Sequence, residues 1–329
     1  MIKLSDAEGA AHRILSEGPD AAVRRRLLRD VLRRPAGDPE LIAARNGLDG
    51  SRWVRLLARE QRVDGGWGRF HTMDTKVQQK VRTTEAGVAR AVALGLDVSH
   101  PILSKASRYI TRILKGATAF PDGAEKNDCW LTGAEIFSAA TLAQIEAGAA
   151  ALDGAWNLWE EIANRAFARG DYNLDAELRA HRSLTGRSGR CKYLRLNNRY
   201  AVGLLGVRAA QLDRRIERAY LAWLWNNPAG LGYLGAPLSS FPDAARPLRV
   251  DTWLSSLELL SLYPSWRGCA GKAIAWLWSK RRDGPAWDLG PRSWWSSWFP
   301  LSEDWRRRGN RSRDYTTRVL ILLRKYLSE

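Results

Sequence analysis

Arg52-Trp53-Val54-Arg55-Leu56-Leu57-Ala58-Arg59-Glu60-Gln61 runs straight into Arg62-Val63-Asp64-Gly65-Gly66-Trp67-Gly68. In the first stretch apolar residues recur at spacings of three and four, with arginines between them, which predicts an amphipathic helix. The Asp-Gly-Gly that follows breaks it, because paired glycines favour turn backbone over helix. An aromatic residue then stands at the far side of the turn.

Working outward, the same phrase returns. Ile102–Leu114 stops at Lys115-Gly116, Trp156–Ala168 at Arg169-Gly170, and Ile216–Trp225 at Pro228-Ala229-Gly230-Leu231-Gly232. Ala270–Trp278 leads to Arg282-Asp283-Gly284-Pro285-Ala286-Trp287, a looser echo of the first turn. The period is about 50–60 residues, room for two helices per unit. A second set lies between, near Thr84–Leu94, Leu131–Ile145, Tyr200–Leu212, Thr252–Leu262 and Thr316–Tyr326. These are richer in Ala, Gly, Leu and Ser and poorer in charge, so they read as buried inner helices within a shell of outer ones. An extra helix is expected at Ala21–Leu32. No period-two run predicts a strand. The expected architecture is therefore all-α, an α/α toroid over residues 41–329 with a basic helical extension over residues 1–40. The inner helices of such a ring run parallel, and their N-termini, with unpaired N–H groups and positive partial charge, meet at one mouth.

Composition narrows the partners. The chain of 329 residues carries a formal charge of +17, which favours anions. Arg24, Arg25, Arg26, Arg29, Arg33 and Arg34 crowd the N-terminal helix, and Arg306, Arg307, Arg308, Arg311 and Arg313 a presumed loop; both read first as solvated surface. No nucleic-acid motif has its required spacing, so no nucleic-acid partner is expected, while peripheral contact with an acidic membrane surface fits the charge. No apolar run is long enough to predict a membrane span, and the N-terminus does not read as a secretory signal. Three scattered cysteines form no disulfide framework, which suits a reducing cytoplasm. More than half of the 16 tryptophans fall between Trp253 and Trp305, marking core or a cavity wall.

The Gln61–Gly68 turn resembles the QW-type repeat of the squalene cyclase and protein prenyltransferase superfamily, and the likeness spreads from about Trp53 to Tyr326. The resemblance implies a ring of helices around an apolar cavity and an isoprenoid substrate. Class II cyclases of that superfamily start a carbocation cascade with an Asp of a DxDD-like motif, which this sequence lacks. Prenyltransferases of the superfamily bind zinc through Asp, Cys and His. Here Asp128-Cys129 has the wrong spacing and His181 is expected in a loop, so neither a metal nor another cofactor is predicted.

Acids cluster where inner helices are expected to begin. Asp251 and Asp314, taken singly, read as N-caps. Glu85 and Glu135 lie in otherwise apolar helices, where an ionised carboxylate must be paired or functional. His71 and Asp74 follow the Gly-rich turn, where His71 could act as a base or orient Asp74, or the stretch could simply be a hydrogen-bonded surface loop. Trp67, Trp130, Trp253, Trp287, Trp295 and Trp298 are the candidate cavity walls for a cation, and Arg313 is the candidate for a diphosphate. The leading expectation is a terpenoid cyclase-like enzyme acting on a polyprenyl substrate or its diphosphate, in which a buried acid, Glu85 or Asp314, starts or steers a carbocation cyclisation, with Glu135 and Asp251 as further catalytic candidates. The alternatives are a carbohydrate-active ring, glycosidase or lyase, and a non-catalytic ring that binds lipid, peptide or protein.

Overall fold

The computed structural model describes residues 2–73, 76, 78–232, 234–242, 250–282, 286–291 and 299–328. The described residues form fourteen α-helices and no strand. In chain order these are α1 (Leu4–Ser16), α2 (Ala21–Arg26), α3 (Pro39–Asp49), α4 (Arg52–Glu60), α5 (Thr84–Ala93), α6 (Pro101–Leu114) and α7 (Trp130–Ile145). They continue with α8 (Asp153–Ala166), α9 (Leu174–Thr185), α10 (Arg199–Gly206), α11 (Arg214–Asn226), α12 (Val250–Leu260), α13 (Trp266–Ser279) and α14 (Arg308–Leu327). None is long and apolar enough to cross a membrane.

Local chemistry sets these boundaries. Ser51, Thr83, Asn173, Asn198 and Asp213 each accept a backbone N–H of the following first turn, which starts α4, α5, α9, α10 and α11. Pro39 and Pro101 sit at the first positions of α3 and α6, where a missing N–H is harmless. Gly186 ends α9 in the left-handed region, at φ 69°.

The less charged helices pack on one another in succession, α5 on α7, α7 on α10 and α10 on α12. Arg318 of α14 reaches α12 through Glu258, at 2.7 Å. The N-terminal helices stand between α14 and α5. Helix α1 packs on α14, while Arg26 donates to the Ala93 carbonyl and Arg25 and Arg29 to that of Gly95, just past the end of α5. Guanidinium groups there satisfy exposed carbonyls and oppose the negative end of the helix dipole. These arginines are thus structural where a solvated face was expected. One continuous apolar core takes in Ala7 and Leu323 alike, so residues of the first forty positions share it.

Three helices were not foreseen: α1, α3 and α9. His181, expected in a loop, is buried in α9. The arginine run expected as a loop is helical from Arg308, and the helix expected at Ala21–Leu32 passes into a π-helical turn at Leu27–Val31.

The repeat is visible as a hydrogen-bond pattern. Trp67 Nε1–H donates to the Leu57 carbonyl at 2.9 Å, and Trp287 Nε1–H to that of Leu277 at 2.6 Å. Each indole therefore ties the end of its preceding helix, α4 or α13, from the same ten-residue distance. The Trp67 N–H then donates to Thr84 Oγ1 (3.1 Å), and the Trp287 N–H to Thr316 Oγ1 (2.9 Å). Both threonines return the bond to the same tryptophan's carbonyl. Glycine is required inside the first copy, since a Cβ on Gly68, at φ 40°, would lie 2.0 Å from the Arg82 carbonyl oxygen.

Candidate functional site

The first Trp turn delivers residues 70–72 to the start of α5. Asp122, in the segment after α6, accepts the backbone N–H groups of Phe70 (2.6 Å), His71 (2.9 Å) and Thr72 (2.6 Å). Three donors on one carboxylate fix the loop and, with it, the origin of the His71 side chain. Glu85 is fixed from the other side, one position past the first residue of α5, behind the Thr83 cap.

The two side chains meet. His71 Nδ1 lies 3.2 Å from each Glu85 carboxylate oxygen. Tyr200 O–H donates to Glu85 Oε2 at 3.0 Å and stands 3.1 Å from His71 Nδ1. Tyr200 holds in α10 the place that Glu85 holds in α5, the second helical residue after a capping side chain. The starts of α5 and α10 therefore come together across α7. With Tyr200 donating to Glu85, the remaining arrangement is a His71 Nδ1–H donating to the same carboxylate. In the neutral ring Nε2 then carries the lone pair, and it makes no hydrogen bond among the described residues. The Glu85 side chain is 11% exposed and that of His71 29%, so the carboxylate is sheltered while the imidazole is reachable.

Aromatic rings hold the imidazole in place. Phe137 stacks on His71 with centroids 3.8 Å apart and planes 11° from parallel. Tyr193 and Tyr200 pack on Phe137 at 5.3 and 4.8 Å, and Trp130 meets it edge-on at 6.5 Å. Close approach here needs Gly133, whose Cβ would lie 2.7 Å from the Tyr193 ring. The Arg199 guanidinium lies 5.1 Å over the Tyr200 ring. The result is a His–Glu–Tyr group on an aromatic wall, able to take or give a proton at Nε2.

The other acids stand apart. Asp314 is fully buried and accepts the N–H groups of Leu301 (2.8 Å) and Ser302 (3.1 Å) together with the Ser302 hydroxyl. Burial pushes its carboxyl up to about 6, against the lowering effect of those bonds and of Arg90. Its oxygens hold a loop, as Asp122 does, and no hydrogen bond joins it to Glu85. Asp251 is fully buried at the start of α12; burial raises the neighbouring Tyr315 phenol, and the Asp251 charge adds to that. Glu135 is solvent-exposed on α7, and desolvation nonetheless raises its carboxyl against the pull of Arg187. Asp74, Trp295 and Trp298 lie outside the described residues.

The tryptophans divide. Trp130 joins the aromatic wall. Trp67, Trp253 and Trp287 are almost fully buried, each with its indole N–H on a carbonyl, which leaves no ring face for a ligand and makes them packing residues. Arg313 pairs with Glu17 at 3.0 Å, and Arg311 grips Asp288 through two bonds of 2.8 and 2.7 Å, so neither stands ready for a diphosphate. Among the described residues no three His, Cys, Asp or Glu side chains gather as a metal site would require. Asp122, Phe137, Tyr193 and Tyr200 were missed by the sequence reading. The one signal for Tyr200 was its place at the start of an apolar helix, matching that of Glu85. No family, no curated protein and no solved structure matches this chain.

Proposed function

We propose that the chain is an acid–base enzyme of the terpenoid cyclase-like, ring-of-helices type, acting on an apolar isoprenoid substrate through His71. The observation that carries this reading is the Glu85–His71–Tyr200 group, with its free Nε2, on the wall of Phe137, Tyr193 and Trp130. The succession of α5, α7, α10 and α12 and the recurring Trp turn support the ring.

The chemistry follows from the bonds. Glu85 accepts from Nδ1–H and fixes the tautomer, so Nε2 faces the substrate as a base. An allylic diphosphate that ionises releases pyrophosphate and leaves an allylic cation; a proton on the carbon adjacent to that cation passes to Nε2, and the C–H pair becomes the new double bond. The aromatic faces steady the cation, at about 0.5–2 kcal/mol per face. Glu85 balances the imidazolium that results, a role in which it need never be the acid itself. Asp314, a loop anchor, takes no part.

Incubation of the pure protein with allylic diphosphates of increasing chain length, followed by mass analysis of extracted hydrocarbons, tests the proposal. A cyclised or eliminated product from the wild type, lost in His71→Ala, is expected. No product and no binding across the series overturns it.

A second reading rests on Arg199 over Tyr200. A cation, a phenol and an imidazole together suit proton abstraction beside the carboxylate of an acidic sugar, with elimination of the neighbouring glycosidic oxygen. Ultraviolet-absorbing unsaturated ends released from uronate polymers would favour it over the isoprenoid reading.

A further inference from the structure

A cavity of about 540 Å³ lies between α4, α5 and residues 299–306, within the usual size range of small-molecule sites. Its floor is apolar, built from Trp53, Leu56, Phe299 and Trp305. Four cations stand on its walls: Arg52, Lys80, Arg90 and Arg306. A second hollow shares Arg52, Trp53, Leu56 and Lys80 with it and continues over Arg55 and Arg59. Arg52, Arg55 and Arg59 share one face of α4 by helical spacing.

The charges are arranged so that a positive excess remains. The Arg90 side chain is buried, with its guanidinium 4.1 Å from the Trp53 ring centre and 5.3 Å from that of Phe299. Ring faces on two sides hold that cation in place. Arg52 lies 4.6 Å over the Trp53 ring. Of the two acids on the wall, Asp304 pairs with Arg307 outside the lining at 2.7 Å, and Glu303 accepts the Arg52 backbone N–H at 2.6 Å, so four cations face one carboxylate that has no such pair. Lys80 and Arg306 have no ion-pair partner among the described residues. An anion entering here meets several cations around an apolar floor.

This cavity is not the His71 site. Ala86 and Arg90, one turn apart, present one face of α5 to it. Glu85 points about 100° away from Ala86, and none of His71, Glu85 or Tyr200 lines the cavity.

We propose that this cavity binds an organic phosphate bearing an apolar chain, the chain against Leu56, Trp305 and the edge of Trp53 and the phosphate among Arg52, Lys80 and Arg306. A phosphate suits the wall better than a carboxylate, because its higher charge and three acceptor oxygens engage several cations at once. The phosphate could belong to a membrane lipid or to a soluble ester. The proposal does not rest on the proton-transfer reading of His71.

Titration calorimetry with dodecyl phosphate, kept below its micelle concentration, tests it, with dodecanol and inorganic phosphate as controls. Dodecyl phosphate is expected to bind one per chain, about tenfold or more tighter than either control. The exposed double variant Lys80→Ala/Arg306→Ala should weaken it by about tenfold or more with an unchanged melting curve. Trp53→Leu should weaken it too, and His71→Ala should leave the affinity as it was. Vesicles of phosphatidylcholine with and without phosphatidic acid distinguish the sources. Competition by the acidic vesicles alone assigns the phosphate to a lipid, and failure of both to compete assigns it to a soluble ester. Equal affinity for dodecanol and dodecyl phosphate, no binding of dodecyl phosphate at all, or full affinity in the double variant overturns the proposal.

Discussion

The Nδ1 of His71 sits equidistant from the two carboxylate oxygens of Glu85, 3.2 Å from each, although neither side chain belongs to the other's element. Asp122 anchors one and the α5 cap anchors the other. His71→Ala should lower turnover of any isoprenoid accepted by about 10²–10⁴-fold, the ordinary worth of a positioned proton carrier. Glu85→Gln should lower kcat less, with little change in KM, because it removes orientation and charge balance but leaves Nε2. Steady-state kinetics on the two variants checks the order.

Asp122→Ala strips three backbone N–H groups of their acceptor. At about 1–3 kcal/mol for a buried donor left unmet, the variant should lose about 2 kcal/mol or more. Urea unfolding measures the loss. Turnover should fall with it even where the chain remains folded, since the backbone of His71 loses its fixed place.

Trp67→Phe and Trp287→Phe should behave alike. Each removes an indole N–H from a buried bond to the end of a helix, and each should destabilise by about 1–3 kcal/mol. Thr84→Val and Thr316→Val should each lose a comparable amount at the other side of the same turn. Parallel chemical denaturation of the four variants would show whether the two copies carry the same load. A loss at Trp67 with none at Trp287 would break the equivalence.

How much of this was legible follows from the range of the contacts. Helix period is local, so both expected sets of segments are helical, with ends shifted by up to eight residues, as at the start of α14. The Trp turn was also local, and the echo at Trp287 proved to share its bonds. Helix α9 was missed because its polar, arginine-rich face hides the stripe that buries Ala180 and His181. Glu85 stood out as a carboxylate in an apolar helix and His71 by its place after the turn. Their partner Tyr200 lies 129 positions from His71, and no pattern within one helix announces such a contact. Asp314 stood out as an acid at an expected helix start, yet it lies inside α14 and its oxygens accept the backbone N–H groups of residues 301 and 302. A buried acid is conspicuous in sequence, but whether it holds a loop or a proton depends on which donors the fold brings.

Two buried groups should shape stability against pH in opposite senses. Burial lowers His181 from its ordinary 6.5 to about 4, with its Nε2–H donating to the Leu194 carbonyl. The folded state thus favours the neutral ring. Its contribution, about 3 kcal/mol, is complete above pH 6.5 and is lost as pH falls toward 4. Asp314, raised from 3.8 to about 6, holds its proton more tightly when folded, so its effect runs the other way. The folded state loses about 3 kcal/mol as pH rises from 3.8 to 6 and nothing further above that. His181→Gln should lower stability at pH 7 and flatten the acid limb. Asp314→Asn should steepen the fall in stability from pH 6 to 4. Guanidinium midpoints at half-unit steps of pH would show both.

The protonation of His71 can be read without knowing any substrate. Long-range ¹H–¹⁵N correlation of the histidine rings at neutral to mildly alkaline pH, assigned with His71→Gln, reports which nitrogen carries the proton. A neutral ring with Nδ1–H and a bare Nε2 is expected, reverting toward the ordinary Nε2–H tautomer in Glu85→Gln. An Nε2–H ring in the wild type, or one indifferent to the loss of the Glu85 charge, would contradict His71 as the proton-carrying base.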